Sequence, residues 1–225
     1  MRLNDSDFEE RTSAFAPGEV GQILVAWIVL SLAISVSYLG GLFEGTGDAY
    51  GIAAAFIATA TAFVFHEMGH KFVAMRLGYV AHFKVWAWGL ALTLITAVVS
   101  QGTFMFGAPG AVYIAPAFAA GYHAYGRYSG GPRSEDRDNM LISAAGPGTN
   151  LAFGIFFLAL LIFGPAAGFV QTVASYGFTL NVGLGAFNML PIPPMDGYKI
   201  FKGSIPTALM IALPLWGMFL LLILG

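Results

Sequence analysis

The sequence contains no cysteine and little charge: 10 Lys and Arg and 12 Asp and Glu among 225 residues. Without cysteine there is neither a disulfide nor a thiolate-held metal, so any metal must be held by imidazole and carboxylate. The scarcity of charge excludes more. Soluble surfaces carry roughly 25–35% charged residues, whereas here the charged share is 10%, the hydrophobic share 57% and the mean hydropathy +0.74. Such a chain cannot cover a core with polar surface, and its natural outer solvent is lipid. A formal net charge of −2 with no clustered basic face removes nucleic acid from the candidate partners. The basic start and small-residue cleavage site of a secretory signal are missing too. Met1 to Gly18 reads as a polar, mostly acidic tail, the first apolar stretch stays in the mature protein, and residues 19–225 form one multi-spanning domain.

What the chain does have is long apolar runs. A spanning helix takes about 20 mainly apolar residues, and Val20–Leu42, Gly51–Leu77, Met140–Phe163, Gly168–Leu190 and Ile205–Gly225 meet or approach that length. The fourth is the weakest, carrying Asn181 and several glycines. A sixth region, Val85 to Ala120, has no Lys, Arg, Asp or Glu but is interrupted by Gly and Pro. Its first half, Val85–Ser100, is either a short helix or a long strand. Gly102 to Ile114 is either a β-hairpin around a Gly/Pro turn or part of a helix pair. The expected fold is therefore an all-α membrane protein of about six transmembrane segments, with a small β-hairpin near residues 102–114 as one alternative. If Val85–Ala120 enters and leaves on one side, all ten basic residues share a face. By the positive-inside rule that face is cytoplasmic, which puts the N-terminus and the active-site mouth inside.

The second run contains Phe65-His66-Glu67-Met68-Gly69-His70-Lys71. Residues four apart share a helix face, so His66 and His70 can offer two ring nitrogens to one metal, with Glu67 close enough to act without being a ligand. This is the H-E-x-x-H arrangement of zinc hydrolases, with the glutamate as general base. In a spanning helix ionisable groups are costly and mark function by default. A catalytic zinc usually takes three protein ligands. His82 does not stand at the spacing of extended His motifs, and His123 sits between Tyr122 and Tyr125; both read as loop or interfacial residues. Asp196 is the better third candidate. It follows Pro191, Pro193 and Pro194, which hold the chain extended, although Pro-Pro-Met-Asp-Gly is also good turn chemistry.

Taken together, His66-Glu67-Met68-Gly69-His70, Ala145-Gly146-Pro147-Gly148-Thr149-Asn150 and Asn188-Met-Leu-Pro-Ile-Pro-Pro-Met-Asp196-Gly197 resemble the site-2 protease family of intramembrane zinc metalloproteases. The resemblance covers Phe63 to Tyr198. It implies one zinc ion per chain held by His66, His70 and Asp196, with Glu67 activating water and Asn188 helping to polarise the scissile carbonyl. Asn188 also reads as an asparagine that simply ends a helix before prolines. Gly146 and Pro147 fit close helix packing, and Asn150 a hydrogen bond between helices. The implied activity is regulated intramembrane proteolysis of a membrane protein substrate through its transmembrane segment. Unlike larger members of that family, this sequence has no inserted peptide-binding or nucleotide-sensing domain. The rival from another class is a metal or proton transporter using the same His/Glu/Asp cluster.

Overall fold

A computed structural model describes residues 14–43, 49–101, 109–116 and 132–224 of the chain. Helix α1 (Glu19–Phe43) is followed by α2 (Ala49–Thr59), a π-helical turn (Ala60–Val64) and α3 (Phe65–Arg76), the last three running as one rod. Strand β1 (Tyr79–Val85), the short helix α4 (Ala87–Val99) and strand β2 (Gly110–Pro116) come next. Then follow α5 (Pro132–Phe163), α6 (Phe169–Asn188), α7 (Asp196–Gly203) and α8 (Ile205–Leu224). Four of these stretches are long and apolar enough to cross a membrane: Glu19–Val36, Ala49–Arg76, Glu135–Phe163 and Ile205–Leu224.

The expected six spans reduce to those four among the described residues, for two reasons. Within Gly168–Leu190 residues Phe169–Asn188 do form a helix, α6, but Gln171, Thr172, Asn181 and Asn188 dilute its apolarity. Val85–Ser100 resolves as the helix α4, whose 13 residues extend about 20 Å at 1.5 Å per residue, short of a ~30 Å hydrocarbon layer. Of the hairpin alternative near residues 102–114, the second arm is a strand, β2. Residues 102–108, its first arm, lie outside the described residues, and β2 pairs antiparallel with β1, from Tyr79 opposite Pro116 to Val85 opposite Gly110. β1 carries four β-prone residues, Tyr79, Val80, Phe83 and Val85, and alternates buried with part-buried positions over most of its length. Its partner comes from beyond α4, a pairing that local turn signals do not announce.

Two packing regions position the rest. In the first, α5, α6, α7 and α8 enclose Met140, Phe157, Phe178, Val182, Ile200 and Leu215, with Ala174, Ala186, Ala208 and Ala212 wholly buried between them. Small residues let helix backbones approach closely, the usual device where neighbouring helices gain nothing by hiding from lipid. In the second, Ile23, Ala26 and Leu30 of α1 pack with Phe63, Phe83 and Leu90; the Phe63 and Phe83 rings meet edge to face at 5.9 Å. Trp216 of α8 donates its indole N–H to the Ala186 carbonyl of α6 at 3.0 Å. On the surface, Lys202 of α7 reaches Asp136 of α5 at 3.1 Å, and the neighbouring carboxylate holds the ammonium's pKa above its ordinary value.

Helix α3 lies so close to α5 that a methyl group on Gly69 would stand 2.9 Å from Thr149 Oγ1 and 3.0 Å from the Ala145 carbonyl oxygen. A methyl on Gly217 of α8 meets nothing within 4 Å. Gly69→Ala is therefore expected to destabilise the protein by about 1–3 kcal/mol. Gly217→Ala should be neutral or gain up to about 1 kcal/mol from helix propensity. Thermal unfolding of both variants in one detergent measures the difference, and equal midpoints would refute the close approach.

Candidate metal centre

His66 and His70 stand one helical turn apart on α3 and turn toward α5. What faces them there is Gly146, and a Cβ at that position would lie 2.4 Å from His70 Nε2 and 2.6 Å from His66 Cε1. The glycine of the Gly146-Pro147 pair thus makes room for two imidazoles. Pro147 is buried inside α5 and has no N–H to give the Ser143 carbonyl, which loosens the helix beside the site. The Ile142 carbonyl, one residue earlier, stands 2.7 Å from His70 Nδ1.

Asp196 arrives from the other side. The segment after α6 runs through Pro191, Pro193 and Pro194, and Met195 is extended at φ −62°, ψ 153° before α7 begins at Asp196 itself. Gly197 presses against the end of α6, where a Cβ would meet the Met189 backbone at 2.4 Å. That contact carries the first turn of α7, and its carboxylate, back into the bundle. The turn chemistry of this segment is real, and it delivers Asp196 inward.

The three donors converge. His66 Nε2 and His70 Nε2 are 3.0 Å apart, and Asp196 Oδ2 lies 3.4 Å from the first and 3.1 Å from the second. A tetrahedral ion with bonds of about 2.0–2.1 Å holds its donors roughly 3.3 Å apart, so the triangle fits zinc to within a few tenths of an ångström. Both histidines are buried, at 4% and 8% exposure, which leaves few routes to solvate three such groups without a cation.

The far side of each ring is also fixed. Asn150 donates Nδ2 to the Ala62 carbonyl at 2.9 Å and to Asn181 Oδ1 at 3.2 Å, so its own Oδ1 faces His66 Nδ1 at 2.6 Å. Asn181 in turn donates to Thr61 Oγ1 at 3.0 Å and to the Gly177 carbonyl at 2.8 Å. With acceptors opposite both Nδ1 atoms, each Nδ1 carries the proton and each Nε2 presents its lone pair to the centre. Ala62 and Thr61 belong to the π-helical turn, whose wider winding frees backbone groups just before the ligands.

Glu67 lies outside the donor triangle, and its Oε2 accepts the Val112 N–H of β2 at 3.1 Å. Of the remaining sequence candidates, Asn188 ends α6 and donates Nδ2 back to the Leu184 carbonyl at 3.1 Å. His82 is on β1, with Nδ1 3.4 Å from Glu19 Oε2. His123 is outside the described residues. Asn181 and the Ile142 carbonyl are supports of the site that the motifs do not contain. The first was legible as a polar residue in an apolar helix, whereas a backbone carbonyl has no sequence signal.

Removing an outer partner of a metal-bound histidine typically weakens metal affinity 10–100-fold. Asn150→Leu is expected to weaken zinc binding within that range, and Gly146→Ala to weaken it further by driving a methyl into both rings. Zinc competition with a chromophoric chelator reads both; wild-type affinity in Gly146→Ala would refute the packing at His66 and His70.

Known proteins support the same chemistry. Over 165 residues, 73% of this chain and 77% of the relative, it is 38% identical to the protein named "Putative zinc metalloprotease MJ0611" of Methanocaldococcus jannaschii. Over 159 residues, 67% of this chain and 68% of the relative, it is 29% identical to "Putative zinc metalloprotease YwhC" of Bacillus subtilis. No family model matches the sequence, and no solved structure matches it. The length and identity of the archaeal match, on a chain whose His66, His70 and Asp196 fit zinc, make this protein a member of the zinc metalloprotease family.

Proposed function

We propose that the protein is a zinc-dependent intramembrane endopeptidase that cuts membrane proteins within or beside a transmembrane segment. The observation that carries this reading is the place of the donor triangle. His66 and His70 lie in Ala49–Arg76, itself long and apolar enough to cross a bilayer, and three further helices share that property. Outward residues of α8 such as Met210, Leu221 and Leu224 are 68–81% exposed, a surface suited to hydrocarbon and hazardous in water. The chain is then a multi-pass membrane protein with its N-terminus and active-site mouth cytoplasmic. Lys71 is withdrawn from the charge count behind that orientation, because it is fully buried against Glu19.

In this reading His66, His70 and Asp196 hold the zinc. When bound, zinc supplies Lewis acidity for the scissile carbonyl and lowers the pKa of a water toward 7. Glu67 takes the proton from the attacking water and returns it to the leaving amine. Asn188, at the end of α6, is assigned to the scissile carbonyl and must release its bond to Leu184 to reach it. The family resemblance to site-2 proteases supports these roles. A transporter gains no support here, since the relatives carry the names of metalloproteases.

The substrate must be extended where it is cut, and β2 offers the place. Phe83 and Val112 lie opposite each other, and both send their N–H groups away from the shared ladder, to Glu19 and Glu67 respectively. The outer edge of β2 therefore faces the general base. A substrate strand added there would run past Glu67 toward the metal, with main-chain hydrogen bonds supplying affinity.

Glu67→Gln should retain zinc and lose at least about 10²-fold in cleavage of a panel of single-span membrane peptides. Undiminished cleavage by that variant would overturn the role of Glu67. Ile114 has the parity of Val112, so Ile114→Pro removes an outward N–H and leaves the β1–β2 ladder intact. It is expected to raise KM about tenfold with kcat nearly unchanged, the signature of lost uniform binding. An unaltered KM would count against strand addition.

A further inference from the structure

Directly after the ligand His70 comes Lys71, fully buried, a costly residue that zinc chemistry does not use. Its Nζ donates to Glu19 Oε1 at 2.7 Å and to the Ala81 carbonyl, and lies 5.0 Å from the centre of the Phe15 ring. Glu19 is 1% exposed, and its carboxylate is saturated. Oε1 also accepts the Phe83 N–H at 2.8 Å, while Oε2 accepts the Ala16 N–H at 2.8 Å and stands 3.4 Å from His82 Nδ1. Beyond it, Gln22 Oε1 accepts the Val85 N–H at 3.0 Å.

Every outward group named here belongs to β1. Ala81 offers its carbonyl to Lys71, Phe83 its N–H to Glu19, and Val85 its N–H to Gln22. The outer edge of β1 is thus closed by side chains, and among the described residues the edge left without a neighbouring strand is that of β2. Glu67 and Lys71 are four apart on α3 and so share a face. The two-stranded sheet spans that face, gripped at the Phe83 edge by Glu19 with Lys71 and at the Val112 edge by Glu67. Because Phe83 and Val112 are directly opposed, a shift of β1 against α3 moves the β2 edge by the same amount relative to Glu67 and the zinc ligands.

We infer that Glu19 and Lys71 are positioning residues for proteolysis: their buried ion pair sets where the β2 edge stands against the metal, and hence which peptide bond of an added strand is presented. The inference rests on the strand-addition reading above. It assigns Glu19 and Lys71 no contact with substrate or zinc. Removing the charge of Glu19 loosens the sheet on α3 while the ligand triangle, held by Gly146, Asn150 and Ile142, stays as it is.

The test uses the full chain and two readouts. The absence of native cysteine allows spin labels at Ala111→Cys on β2 and Arg76→Cys at the end of α3, both exposed positions, without background labelling. In that labelled background the sheet-to-helix distance distribution should be narrow, and Glu19→Gln should broaden it. Unlabelled Glu19→Gln should retain zinc, scatter the cut over neighbouring peptide bonds of a single-span peptide by mass spectrometry, and raise KM more than it lowers kcat. Should Glu19→Gln fail to fold, Glu19→Leu with Lys71→Met removes both charges at similar volume, deprives Phe83 of its acceptor, and is expected to broaden and scatter in the same way. An unchanged distance distribution in a folded variant overturns the inference, as does an unchanged cut site with lost kcat alone. A wild type that cuts no peptide counts instead against the endopeptidase reading, and the label distances still decide the positioning.

Discussion

A charged or hydrogen-bonding group buried in an apolar bundle is tolerable when each of its polar atoms has a partner, and the arrangement around α3 follows from that constraint. Three consecutive turns of the rod carry Thr61, His66 with Glu67, and His70 with Lys71 toward the interior. They are answered from five other elements: Asn181 from α6, Asn150 and the Ile142 carbonyl from α5, Asp196 from α7, Val112 from β2 and Glu19 from α1. The bundle is specified less by its greasy contacts, which many packings would satisfy, than by this set of obligatory pairs.

The two histidines are supported unequally. His66 relies on a side chain, Asn150, at the head of a chain of amides leading to Thr61, whereas His70 relies on a carbonyl of the α5 backbone. The first support is open to substitution and tuning. The second is available as long as α5 keeps its course beside Pro147, so glycine and proline at 146 and 147 act on the metal site through the shape of a helix.

Much of the site was legible because its spacing is local. His66, Glu67 and His70 follow from the helical period, whereas the proline segment ending in Asp-Gly reads equally as a turn, and it is the family resemblance that singles out Asp196. Asn150 was read as an interhelical hydrogen bond, which it makes, though its partner was not foreseen. The sheet was half legible: the β-prone run at 110–114 is a strand, but its partner Tyr79–Val85 lies across α4, and nothing local encodes a pairing of that separation. From sequence Lys71 is one of ten basic residues assigned to a single face. Its burial depends on Glu19, 52 residues away, and such a pair is invisible to any window of sequence. The π-helical turn likewise leaves no compositional mark.

That turn sets how the rod responds to changes in length. Five residues, Ala60–Val64, occupy the wider winding, so α2 and α3 are in phase with their separate neighbours although a regular helix of the same sequence would put them about 100° out of step. Loss of one residue within 60–64 would let the rod close into regular α-helix while α2 keeps its face to α6 and His66 and His70 keep theirs to α5. An insertion between His66 and His70, by contrast, would set the two rings about 140° apart around the axis. Along a single membrane-length helix, tolerance to insertion and deletion therefore changes from permissive to prohibitive within one turn, at the boundary between the π-helical winding and the ligands.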